Sequence, residues 1–100
     1  MNRKEKQPEA LKQLITAWEI EMKEKGYIEN ENALLEHIKN IDEVKESELL
    51  SSLLALAAKS RMNKTNNQDS VVTAWMEKAK ELNPNNVIAR NYLAQFQWKT

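Results

Sequence analysis

An all-α fold with five helices is what this sequence predicts, and three observations carry the prediction. Apolar residues recur at one-turn spacings in long stretches of the chain. One glycine and two prolines in 100 residues leave too few turn residues for a β-sandwich. β-branched residues are scarce and scattered, so no run has the composition of a strand.

The first helix is expected over about 8–25. Pro8 suits a first helical turn, and Glu9 is well placed against the helix dipole. Residues 1–7 are expected to be disordered. Leu11, Leu14, Ile15, Trp18 and Met22 form the inner stripe, and Gly26 can take the left-handed conformation that closes the helix, with Tyr27 folding back on Met22. Asn30 or Asn32 caps a shorter second helix, about 31–40, marked by Leu34, Leu35, Ile38 and Ile41. Asp42 reads as the N-cap of a third helix, about 43–62. There, Leu49 to Ala58 puts apolar or small residues around most of the circumference, the mark of a helix buried on more than one side. Residues 63–69 read as a loop, with Asn66 or Asn67 capping the fourth helix. Val71, Val72, Trp75, Met76, Ala79 and Leu82 line that helix, and Asn83-Pro84 stops it, because proline disfavours helical geometry in the residue before it. Asn85 or Asn86 then caps a fifth helix, about 86–98, with Ile88, Ala89, Tyr92, Leu93 and Phe96 inward. So short a link folds helices four and five back on each other.

The run Lys78-Ala79-Lys80-Glu81-Leu82-Asn83-Pro84-Asn85-Asn86, followed by Ala89 and Tyr92-Leu93-Ala94, resembles the junction between two tetratricopeptide repeats. Small residues at Ala79, Ala89 and Ala94 suit the close helix approach of that family. A fainter echo aligns Glu36–Asp42 with Glu77–Asn83. The resemblance covers about 20 residues. It implies antiparallel helical hairpins stacked as a fragment of a right-handed α-solenoid, with two pairs and a half-pair over residues 8–100. Many members of the family grip a C-terminal carboxylate with basic and asparagine side chains. The comparable positions here are Leu53, Leu54 and Ala58 in one helix and Arg90, Asn91 and Gln95 in the other. Only the second set is polar, so the two-repeat clamp is not reproduced, and Arg90 and Asn91 are left as the expected groove residues.

Charge narrows the partners. Fifteen basic and fifteen acidic residues cancel, which argues against a general pull toward nucleic acid or a membrane surface. The distribution is uneven: residues 31–50 hold six acidic and two basic groups, residues 51–100 three acidic and seven basic. Without cysteine there is no disulfide or thiolate ligation. The polar opening is unlike a signal peptide, and no run approaches the roughly 20 apolar residues of a membrane span, so the cytoplasm is the expected location.

Candidate chemistry is sparse. His37 is the only histidine and has no cysteine or second histidine to share a transition metal. Glu19, Glu21 and Glu24 alternate with lysines on a polar face and read as solvated i,i+4 partners such as Glu21–Lys25. One glycine cannot build a phosphate loop. No cofactor, metal or catalytic site is expected, and the chain reads as a non-enzyme. Trp18 and Trp75 lie in phase with the stripes and read as core. Trp98 falls beyond the last strong stripe position, where an exposed tryptophan marks a contact.

The expectation is therefore a protein–protein interaction module with a protein or peptide partner and with Arg90, Asn91 and Trp98 as contact residues. By analogy, it could serve as the N-terminal recruitment domain of a larger machine such as a AAA-type ATPase. The alternative is a free-standing homodimeric regulator. Helix five ends without a stop signal and is expected to leave an apolar strip, including Trp98, to be covered by a second copy or by further chain.

Overall fold

The computed structural model describes residues 3–66 and 70–98, with side chains described for 9–66 and 70–95. Five helices and no strand occur among the described residues: α1 (Arg3–Lys25), α2 (Glu31–Asn40), α3 (Ser47–Thr65), α4 (Ser70–Leu82) and α5 (Val87–Trp98). No helix among them is long and apolar enough to cross a membrane.

The helix α3 is the shared wall of the fold. It touches all four of the others, whereas the backbones of α1 and α2 approach neither α4 nor α5. One side of α3 presents Leu50, Leu54, Ala55 and Ala58 to Val72, Met76 and Ala79 of α4 and to Ala89, Tyr92 and Leu93 of α5. The other side presents Leu53, Leu56 and Ala57 to Leu11, Ile15 and Trp18 of α1 and to Leu34 of α2. A helix with a core on each side needs apolar or small residues around most of its circumference, as Leu49 to Ala58 supplies. Its alanines let α4 and α5 come close.

The expected pairing of α1 with α2 takes a different form. Their backbones do not approach each other; each lies on α3 instead. They meet through side chains, with the Trp18 ring edge-on to His37 at 5.8 Å between centroids. A ring as large as tryptophan, seated between two helices, widens their separation. The other two pairs run antiparallel. Ser51 near the start of α3 meets Ala79 near the end of α4, and Thr73 early in α4 meets Tyr92 well along α5.

Several boundaries differ from those the sequence predicts, each for a local reason. The helix α1 begins at Arg3, five residues before Pro8. Arg3 to Gln7 are all good helix formers, and Pro8 forfeits only one backbone bond. Asp42 does not cap α3. Its carboxylate accepts the Val44 and Lys45 N–H groups (3.0 and 3.2 Å), and its carbonyl accepts that of Glu46 (2.8 Å), which closes a separate turn. The only apolar residue inside that turn, Val44, is 89% exposed and cannot dock it as part of α3. At its far end α3 runs past the predicted stop to Thr65. Asn66 closes α3 in the left-handed region (φ 55) and does not cap α4. Asparagine tolerates that conformation better than most residues. The alternative cap, Asn67, lies outside the described residues.

Tertiary bonds explain why Asn63 and Lys64 belong to the helix. The Asn63 carboxamide donates to the Gly26 carbonyl (2.6 Å), and Lys64 lies over the Tyr27 ring and 3.9 Å from Glu31. Gly26 takes the left-handed conformation (φ 86), and its N–H donates to the Met22 carbonyl (2.8 Å), as the sequence predicts. Tyr27 is partly exposed, and the fully buried residue of the connector is Ile28, whose N–H donates to the buried Ser60 hydroxyl (2.9 Å).

Candidate functional site

The link between α4 and α5 fixes where the last helix lies. The Asn83 side chain accepts the Asn85 N–H (3.1 Å), and the Asn83 carbonyl accepts that of Asn86 (2.9 Å). The Asn86 side-chain oxygen then caps α5 by accepting the Ala89 N–H (3.1 Å). Its amide nitrogen donates to the Ser51 hydroxyl (2.8 Å) and to the Ser51 carbonyl (3.1 Å), while the Ser51 hydroxyl donates to the Ala79 carbonyl. One buried asparagine and one buried serine thus tie α3, α4 and α5 at a single point. Among the described residues no buried side-chain nitrogen or oxygen lacks a partner, so this polar junction stabilises the fold without leaving an unmet group. A second tie joins the Thr73 and Tyr92 hydroxyls at 3.0 Å.

Held in this way, α5 and the second half of α3 flank a cleft of about 140 Å3. Met62, Met76, Ile88 and Tyr92 form its apolar floor, and Lys59, Asn91 and Gln95 its polar rim. The four α5 residues recur at i, i+3, i+4 and i+7, one face of a helix. Chemically the cleft offers an apolar seat, two carboxamides that can both donate and accept, and one ammonium. The two thioethers give the floor some adaptability to the shape of an occupant. The cleft thus joins a hydrophobic lining to a few polar groups at its rim.

The structure separates the residues that the sequence brings together. Asn91 is exposed and lines the cleft. Arg90, one residue earlier, is turned by roughly 100° around the helix. It is exposed but does not line the cleft. Leu53, Leu54 and Ala58, the comparable positions on α3, are buried in the two cores and cannot face a ligand. Lys59 and Met62 supply that wall instead. The available signal was their position at the edge of the long apolar run, three residues apart and so on one face. The side chain of Trp98 lies outside the described residues, as does that of Phe96. Among the described side chains of α5, the large apolar ones are covered except Val87, which is 65% exposed, so the expected apolar strip is not present over 87–95.

Elsewhere the ion pairs among the described residues lie at the surface. Lys25 lies 2.9 Å from Glu29 and 3.8 Å from Glu21. The hydrogen bond and the charge of Lys25 hold the Glu29 carboxyl below its ordinary range, and the same bond with Glu29 raises Lys25. Lys78 reaches Glu43 at 3.3 Å and so pins the Asp42 turn to α4. Exposed pairs of this kind contribute little to stability. No group of three metal-ligating side chains occurs among the described residues. Trp75, expected in the core, is half-buried and touches both apolar clusters, while Trp18 is buried. Compared with protein-family models, with curated proteins and with solved structures, the chain matches none.

Proposed function

We propose that this chain is a protein–protein interaction module of the tetratricopeptide-like kind, in which the cleft between α3 and α5 receives a short segment of a protein or peptide partner. The observation that carries the reading is the cleft itself, a polar rim over an apolar floor on helices locked together by the Ser51–Asn86 junction. A site on packed helices is presented with little entropy left to lose, which favours binding of a flexible segment. Asn91 and Gln95 can hydrogen-bond the backbone of such a segment, and Lys59 favours an acidic neighbour. Arg90 contributes at most long-range attraction. In its wider form the proposal is a recruitment domain of a larger machine, such as a AAA-type ATPase.

Selection from a random peptide display library tests this reading. Peptides enriched on the chain should bind at least about tenfold more weakly to Asn91→Trp, which fills the cleft, and equally well to Arg90→Ala. Selected peptides that are indifferent to Asn91→Trp would place recognition elsewhere, and a library that yields no binder would refute the proposal.

A further inference from the structure

The turn that joins α2 to α3 carries an apolar tip and a charge opposite to that of Lys59 on the cleft rim. Its tip, Val44, is 89% exposed, the most solvent-accessible large apolar side chain among the described residues. Around it stand Asp42, Glu43, Glu46 and Glu48, with Lys45 as the only cation between residues 42 and 48. The Asp42 carboxylate accepts the Val44 and Lys45 N–H groups within the turn, and Glu43 lies 3.3 Å from Lys78 of α4. Beyond it the charge reverses. Residues 49–66 contain no acidic side chain and carry Lys59, Arg61 and Lys64, of which Lys59 stands on the cleft rim. The chain therefore carries an acidic turn with an apolar knob before α3 and, along the second half of α3, an apolar seat with Lys59 on its rim.

A chain cannot fill its own cleft with its own turn. From Ser47 to Lys59 the helix rises roughly 18 Å, and the turn precedes Ser47. The seat is large enough for the knob of another molecule. Dry apolar cavities of about 150 Å3 accept a benzene ring, and a valine isopropyl group is smaller. We propose that the cleft is occupied by the Val44 turn of a second copy, so that chains associate head to tail. Val44 rests on the Met62–Ile88 floor, and the acidic turn faces Lys59. The contact rests on the reading of the cleft as a docking site and names its occupant. Because donor and acceptor surfaces differ, the association is heterologous and extends beyond a dimer unless the rotation closes a ring. Like charges keep two turns or two basic ends apart, which sets the polarity of the chain of molecules.

Sedimentation over a concentration series, at about 20 mM and about 500 mM salt, reads the association directly. The average mass should rise past that of a dimer at low salt and fall toward the monomer at high salt. Val44→Ser and Asn91→Trp should each be monomeric, with helical content by circular dichroism unchanged. If Asn91→Trp loses helix, Gln95→Trp takes its place. The deciding sample is an equimolar mixture of the two variants. One retains the seat and the other the knob, so the mixture should form a one-to-one complex that grows no further. A wild-type chain that stays monomeric at low salt would overturn this proposal and leave the peptide selection to stand or fall alone. Association that survives Val44→Ser or the filled cleft would overturn it as well, as would a mixture of variants that remains monomeric.

Discussion

Replacing Asn86 by alanine removes more than a helix cap. The side chain makes three bonds, one to the Ala89 N–H and two to Ser51, all at a buried junction. Loss of a good N-cap costs about 1 kcal/mol. Loss of the buried bond to the Ser51 hydroxyl costs about another 1 kcal/mol, and the bond to the Ser51 carbonyl adds somewhat less, since that oxygen lies within the α3 ladder. The sum is about 2–3 kcal/mol, which for a domain of this size lowers the thermal midpoint by roughly 10–20 °C. Ser51→Ala should cost about 1–2 kcal/mol, because the Ala79 carbonyl still accepts the Asn83 N–H (3.0 Å). The two substitutions remove a common bond, so together they should cost about 1 kcal/mol less than their sum. Asn85→Ala, which the sequence alone offers as an equal alternative, should change stability by less than about 0.5 kcal/mol. Urea unfolding of the four variants supplies every leg of the comparison. Strict additivity of Asn86→Ala and Ser51→Ala, or a loss at Asn85 equal to that at Asn86, would refute the junction.

Three further outcomes are expected. Trp18→Ala should cost about 3–5 kcal/mol, and Trp75→Ala, at a half-buried position, about 2 kcal/mol less; equal losses in urea unfolding would contradict their different burial. Pro84→Ala should leave stability within about 0.5 kcal/mol and the radius of gyration near 13.5 Å, because Asn83 and Asn86 still make the turn and the cap; a long rod in solution scattering would show that proline alone breaks the helix. Glu29 should titrate below an ordinary glutamate by carbon NMR. Its pairing with Lys25 then favours the folded state above the ordinary glutamate pKa and ceases to do so as pH falls through the lowered value, so a Glu29 that titrates at or above the ordinary range would remove the pair.

What the sequence shows and what it hides follow from the range of the forces involved. The extent of α2 is legible because its stripe is local, and of the two candidate caps, Asn30 and Asn32, it is Asn30 that accepts the Ala33 N–H. The Asn83-Pro84 stop is legible for the same local reason. The start of α3 was not legible, because Asp42 fits a helix cap and a free-standing turn equally well; the exposed Val44 decides between them only once the cores are known. Its end was hidden for the opposite reason. Asn63 and Lys64 have loop-like composition, and what keeps them helical is a bond to Gly26 and a stack on Tyr27, 37 residues away in each case. Periodicity revealed that α3 is buried on two sides but not which helix lies on which side. The tetratricopeptide resemblance filled that gap by pairing α1 with α2, and it made Leu53, Leu54 and Ala58 the positions comparable to a clamp, where their apolar character already argued against one. For the cleft, Arg90 and Asn91 were named together as polar positions comparable to the tetratricopeptide clamp, and only Asn91 lines it. A turn of roughly 100° between them sets one on the cleft and the other off it.

The central claim, a recognition cleft between α3 and α5, is tested most directly by methyl NMR during titration with a selected peptide. The Met62, Met76 and Ile88 methyl signals should move together and saturate at one peptide per chain. Ile20, half-exposed on α1, and Val87, at the start of α5, should stay in place. Shifts centred on Ile20, or spread evenly over both apolar clusters with the cleft signals unmoved, would contradict it.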